Sequence, residues 1–287
     1  IFRAWRNIAI CLKTDRQSKI IFMKNIELVD IGANLTHKDF SADLDNVIEE
    51  ALNNNISKII VTGTTGQESL KAANLIKNYP KILYSTAGVH PHYANDYCHA
   101  EEKIIIELSA KSNVVAIGEC GLDYYRNFST KTNQLNAFQS QIEIAHEQKL
   151  PLFMHQRDAH DDFIALLRSN SKILQKGVVH CFTGTKQMLY EYLDMDIYIG
   201  ITGWICDERR GKNLQSFVKD IPLERLLIET DCPYLIPRTL KNRPKNNRNE
   251  PKYLMEILDT LEMLTPYSKK EIADASYKNA CNLFELY

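Results

Sequence analysis

From Ile26 onward, short apolar runs alternate with longer stretches of helical periodicity. The runs are IELVDI (26–31), ISKIIVTG (56–63), ILYSTAGVH (82–90), VVAIGE (114–119), PLFMH (151–155), GVVHC (177–181), IYIGIT (197–202) and RLLIETD (225–231). Between them, positions such as Leu44, Val47, Ile48, Ala51 and Leu52, or Leu135, Phe138, Ile142 and Ala145, place an apolar stripe on one helix face. After the eighth run, Leu254, Ile257, Leu258 and Leu261 form another stripe. Ser268 and Glu271 stand at capping-box spacing, opening a last helix through Ile272, Ala275 and Leu283 that should pack outside the sheet. Strict alternation of strand and helix predicts a parallel sheet, because parallel strands need crossover connections. Eight such units in about 230 residues predict the α/β class and a (β/α)8, or TIM, barrel. A doubly wound open sheet is the competitor. It is disfavoured because no G-x-G-x-x-G follows the first strand and the polar strand ends do not gather at one reversal point.

Residues 1–22 differ from the rest: Arg3, Arg6, Lys13, Arg16 and Lys19 face the single acid Asp15. Met23 stands just before the first patterned run, so the reading is an N-terminal extension over 1–22, not part of the fold, and one hydrolase domain over 23–287. Composition is that of a soluble globular chain of 287 residues, 44% hydrophobic and 25% charged. No apolar stretch is long enough to span a bilayer, so no membrane partner is expected. Seven scattered cysteines without a C-x-x-C pair point to reduced thiols and a reducing, cytoplasmic setting. The formal net charge is −1, which excludes binding of nucleic acid by bulk attraction alone; a polyanionic substrate would have to meet local cations or metal.

In a barrel of this kind the chemistry lies at the carboxyl ends of the strands. Those ends carry Asn34, His90 and His92, Glu119, His155, His180 and Asp231 in chain order. A single strand-end histidine is more often a satisfied rim residue than a ligand. Ligand-type residues ending four separate strands of one barrel are harder to treat as independent. A buried carboxylate at Glu119 costs several kcal/mol unless compensated, and a metal ion is a compensating charge. Glu119, His155 and His180 thus form a two-imidazole, one-carboxylate set for a divalent ion, with Asp231 as a further ligand or as the base. His90 and His92 are candidates for substrate phosphate or the leaving group, against a purely structural role in a Pro-containing turn. The loop after the eighth run holds Arg238, Lys241, Arg243, Lys245 and Arg248. Such a run is usually a solvated face, but here it would rim the mouth, making Arg243 and Arg248, with Arg157 beyond His155, candidate phosphate contacts. Arg209 and Arg210 are further candidates, and Tyr124, Tyr125 and Trp204 could each stack one terminal base.

Taken together, AGVHPH, VVAIGECGLDYYRNFST, PLFMHQRDAH, VVHCFTGT, YIGITGWICDERRG, LLIETDCPYLIPR and RNEP resemble the TatD family of metal-dependent deoxyribonucleases over essentially residues 26–287. The resemblance implies an amidohydrolase-like metallohydrolase that cleaves phosphodiesters by attack of metal-activated water, a 3′–5′ exonuclease on the ends of single-stranded DNA or RNA. It implies a divalent cofactor, Mg²⁺ first and Mn²⁺ or Zn²⁺ next, with Glu119, His155 and His180 as ligands and Asp231 as acid/base. A monomer or weak oligomer is expected. One departure stands out: relatives in the wider family carry H-x-H after the first strand, whereas DIGANLT has Gly32 and Asn34. One tight metal site is therefore expected in the absence of substrate. Two alternatives from other classes are an amide or ester hydrolase using the same metal set and a non-catalytic metal-binding scaffold; the cationic loop argues against the first, and retention of all four site residues against the second.

Overall fold

The computed structural model describes residues 26–286, so the expected extension over 1–22 lies outside the described residues. Eight strands alternate with helices: β1 (Leu28–Ala33), α1 (Leu44–Asn53), β2 (Ile56–Val61), α2 (Gly66–Leu75), β3 (Leu83–Ala87), α3 (His99–Ser109), β4 (Val114–Asp123) and α4 (Lys131–Gln148) in the first half. The second half holds β5 (Leu152–Arg157), α5 (His160–Ser169), β6 (Gly177–Val179), α6 (Lys186–Leu193), β7 (Tyr198–Ile201), α7 (Lys212–Phe217), β8 (Leu226–Ile228), α8 (Leu254–Leu264) and α9 (Lys269–Phe284). The strands follow one another in sequence order and every pair is parallel. This is the (β/α)8 barrel, and it rules out the doubly wound sheet.

Closure between β1 and β8 depends on few backbone bonds. Asp231 N–H donates to Gly32 O and Asn34 N–H to Cys232 O, each at 2.8 Å. The Asp30 carboxylate supplies the rest, accepting from Thr230 N–H at 2.9 Å, Thr230 Oγ1 at 2.5 Å and Gly32 N–H at 3.3 Å. A side chain thus stands in for part of the ladder at the seam.

Two apolar layers follow from the pleat. Residues facing outward pack under the helices, while Val29, Ile31, Ile60, Tyr84, Val115, Phe153, Val178, Tyr198 and Leu227 fill the interior, which eight strands leave just wide enough for side chains. The capping box at Ser268 and Glu271 forms as expected. The last helix departs from the expectation that it packs wholly outside: Ala280, Leu283 and Phe284, with Leu286 beyond it, join the interior cluster. Apolar side chains at the amino ends of the strands would otherwise face water, and the end of α9 covers them. β4 also runs beyond the expected Glu119 to Asp123, because its pairing with β5 continues to Asp123 opposite Arg157.

Candidate active site

The chemistry of the mouth starts with the backbone of β4. Gly118 and Gly121 have φ of +146° and +131°, and a Cβ on either would stand 2.2 Å from Phe153 O or 2.0 Å from His155 O. Only glycine lets β4 approach β5 this closely. Between them, Glu119 donates its N–H to Gly63 O at 2.7 Å and turns its carboxylate into the barrel mouth.

Three imidazoles from three strand ends converge on Glu119 Oε1: His180 Nε2 at 2.7 Å, His155 Nδ1 at 3.0 Å and His90 Nε2 at 3.2 Å. Burial alone would raise the Glu119 pKa, but the charges of His90 and His180 and the hydrogen bonds of His155 and His180 hold it well below the usual carboxylate range. Burial tends to lower His180, yet Glu119 and Glu229 carry it well above the ordinary imidazole value. His90, buried with less compensation, is pushed down to about 4. The carboxylate at the end of a core strand is therefore compensated, in the protein itself, by imidazoles.

A second carboxylate supports the first. Asp123 Oδ2 meets His92 Nε2 at 2.9 Å and His155 Nε2 at 3.2 Å, while Oδ1 accepts from Arg126 N–H at 2.8 Å. Burial opposes its ionisation, and these hydrogen bonds reverse that, holding it below the ordinary value. Across the mouth, Asp231 sits just past β8 in the left-handed region at φ +53°, a conformation costly for a residue with a side chain. Asn34 Nδ2 donates to Asp231 Oδ1 at 3.0 Å and to Cys232 O at 3.1 Å. Asn34 thus orients the Asp231 carboxylate. Burial pushes the Asp231 pKa up to about 7, against the lowering charge of His180.

The structure brings Glu119, His155 and His180 together as the strand ends suggested, and adds His90: ligand atoms of His90, Glu119 and His155 all lie within 4.8 Å of one another. Imidazole nitrogens grouped with a carboxylate at that spacing could hold a divalent metal ion. His92 is engaged with Asp123. Arg157 lies under the ring of Tyr125, its Cζ 3.9 Å from the centroid. Arg243 and Lys245 are exposed. Arg248 is already engaged: its guanidinium donates to Asp43 at 2.7 and 2.8 Å, to Glu250 and to Asp39 O, which leaves no fork for a phosphate. Arg238 is likewise committed to Glu208. Tyr124 has Lys131 over its ring and donates its hydroxyl to Asp162.

Sequence reasoning gave no role to Asp123, although it lies in the same motif, and none to Glu229. Of an aromatic rim it named only Tyr125. Tyr93, Tyr125, Phe128 and Tyr234, from the loops after β3, β4 and β8, are each about half exposed or more. The ring of Phe128 lies 4.9 Å from that of His92, and Tyr234 packs edge-on to His37 at 5.8 Å. Their signal in the sequence is faint because they are scattered over three loops.

An eight-stranded α/β barrel with imidazoles and carboxylates gathered at the carboxyl ends of its strands defines the class of metal-dependent barrel hydrolases. Within that class the chain belongs to the TatD family: the family model described as TatD related DNase matches residues 29–285. The 3′-5′ ssDNA/RNA exonuclease TatD of Salmonella typhimurium is 46% identical over 259 residues, covering 90% of this chain and 99% of that protein. Among solved structures, a hydrolase TatD family protein from Entamoeba histolytica superposes with a TM-score of 0.81 at 30% identity, covering 91% of this chain and 99% of its own. The TatD homologue YJJV from Escherichia coli does so with a TM-score of 0.82 at 26% identity, covering 90% and 98%. Among the described residues no helix is long and apolar enough to cross a membrane.

Proposed function

We propose that this chain is a divalent-metal-dependent nuclease that removes nucleotides from the 3′ ends of single-stranded DNA or RNA. The observation that carries the reading is the convergence of His90, His155 and His180 on one oxygen of Glu119, with Asp231 facing the same cluster. Glu119, His155 and His180 are the residues proposed to hold the ion, with His90 beside them. When bound, such an ion supplies polarisation of a phosphoryl oxygen and a water of lowered pKa. Asp231, poised near neutrality and oriented by Asn34, takes the proton of the attacking water and returns it to the departing oxygen. Mg²⁺ is the proposed ion, with Mn²⁺ and Zn²⁺ as the comparisons to make.

The rim supports a single strand rather than a duplex. Exposed aromatic faces on separate loops can each stack an unpaired base, whatever its identity, and Tyr125 carries Arg157 beneath it. Arg243 and Lys245 are free to meet the phosphate backbone. An acyl hydrolase would have no use for either feature, and the TatD relatives are named as nucleases. The described site is complete within one chain, which suits action as a monomer. The six cysteines among the described residues are all free, which suits a reducing compartment such as the cytoplasm.

The test is timed digestion of 5′- and 3′-labelled single strands, DNA and RNA, with and without chelator. A ladder shortening from the 3′ end, abolished by chelator and restored by Mg²⁺, is the expected outcome. Chelator-resistant cleavage, or release from the 5′ end first, would overturn the reading.

A further inference from the structure

Glu229, two residues before Asp231, is fully buried inside the barrel. Its Oε1 accepts from the Cys181 N–H at 2.5 Å. Its Oε2 has no hydrogen-bond partner and stands 3.4 Å from His180 Nδ1, which has none either. Two buried polar atoms with nothing else to satisfy them thus face each other. The room they occupy is made by two glycines: a Cβ on Gly32 would stand 2.3 Å from Glu229 Oε2, and one on Gly200 would stand 2.6 Å from Oε1. The carboxylate is therefore cradled between β1 and β7, aimed at the far side of His180 from Glu119.

We infer that Glu229 is the positioning residue of His180: it accepts the Nδ1 proton, so that when the ion binds it is Nε2 that gives up its proton and offers the ion a lone pair. This inference rests on the metal-site reading proposed above. A histidine binds a metal only through a nitrogen with a free lone pair, and the partner of its other nitrogen decides which one that is. Glu229 can act in this way because its only remaining atom is an acceptor. An amide of the same shape could not. In Glu229→Gln the amide oxygen stays on the Cys181 N–H, and the NH₂ then faces Nδ1 as a donor, which drives the ring proton onto Nε2, into the cluster. The nearly isosteric change should therefore do more harm at the site than its size suggests. Gly32→Ala keeps the carboxylate but displaces Oε2, and acts in the same direction.

The experiment combines Zn²⁺ titration by competition calorimetry with two-bond ¹H–¹⁵N spectra of histidine-labelled protein at saturating Zn²⁺, the His180 signals being assigned by their loss in His180→Gln. Wild type should show His180 protonated at Nδ1 and bound through Nε2. Glu229→Gln should lose that signature and bind Zn²⁺ about 10–100-fold more weakly, with an unchanged far-ultraviolet circular dichroism spectrum. Wild-type affinity and wild-type His180 signals in Glu229→Gln would overturn the role of Glu229 alone. If Glu229→Gln does not fold, the wild-type spectrum and Gly32→Ala still decide: a proton on Nε2 of His180 in wild type, or unaltered Zn²⁺ affinity in Gly32→Ala, would sink the inference. A wild-type protein that takes up no divalent ion would instead overturn the metal-site reading itself.

Discussion

Asp231, the proposed acid–base residue, has its pKa pushed up to about 7 by burial. As a general base it must be ionised, so turnover should climb as pH rises through 7 and then level off, and Asp231→Asn should lose about 10²–10⁴-fold in kcat while retaining bound metal. Stability should run the other way. An acid whose folded pKa is raised binds its proton more tightly when folded, so its contribution is complete below the ordinary value of 3.8 and is lost as pH rises through 7. In chelator, Asp231→Asn should therefore match wild type near pH 4 and exceed it above pH 7, by at most about 4 kcal/mol at roughly 1.4 kcal/mol per pH unit. Urea denaturation at the two pH values measures this; a variant less stable than wild type at pH 8 would contradict it. Asp30, also pushed up to about 7 by burial, keeps a residual slope of the same sign in the variant. Glu119→Ala, His155→Ala and His180→Ala should each bring nuclease turnover to background with the fold intact, since the polar partners of these side chains lie within the mouth cluster. Wild-type turnover in any of them would remove that residue from the ligand set.

Individual elements explain what was legible in the sequence and what was not. All eight strands appear where the apolar runs lie, because a strand buried on both faces reads as an unbroken run. The rule that chemistry sits at the carboxyl ends then pointed to Glu119, His155, His180 and Asp231 as candidates. Glu229 was hidden inside the eighth run, two residues from Asp231, because which strand residue points inward at the mouth depends on register shifts such as the one in β1 between Asp30 and Ala33. The ion pair of Arg248 was hidden for a related reason: its main partner, Asp43, is 205 residues away in the chain. The glycines of β4 were visible but their purpose was not, since it lies in the β5 backbone. Gly121→Ala places a Cβ 2.0 Å from His155 O at a positive φ, and should destabilise by about 3 kcal/mol or more, read as a lowered urea midpoint. A midpoint equal to wild type would show that the two strands can part without cost.

At the scale of the whole molecule the barrel has two unlike ends. The mouth gathers charge, aromatic rim and cationic loop, while the opposite end is sealed by Leu283, Phe284 and Leu286. Phe284→Ala should therefore cost about 3–5 kcal/mol and leave kcat unchanged at temperatures where the variant is folded. Removing Arg243 and Lys245 together should do the reverse: unchanged stability, a higher KM on oligonucleotides and a shallower salt dependence, with hydrolysis of a small phosphodiester spared. An unaltered salt slope would return that loop to a solvated face. The seam between first and last strands has a consequence during synthesis. Asn34 and Asp231, hydrogen-bonded to each other, are 197 residues apart. At about 5–20 residues per second, a ribosome releases the first of them roughly 10–40 s before the second. Until β8 emerges, the growing chain owns the imidazoles and Glu119 but lacks Asp231, the proposed base. A protein capable of cutting RNA would thus be harmless to the messenger that encodes it until translation of the barrel is nearly over. Ribosome-bound chains arrested before Leu226 should leave a labelled RNA intact under conditions in which released full-length protein degrades it.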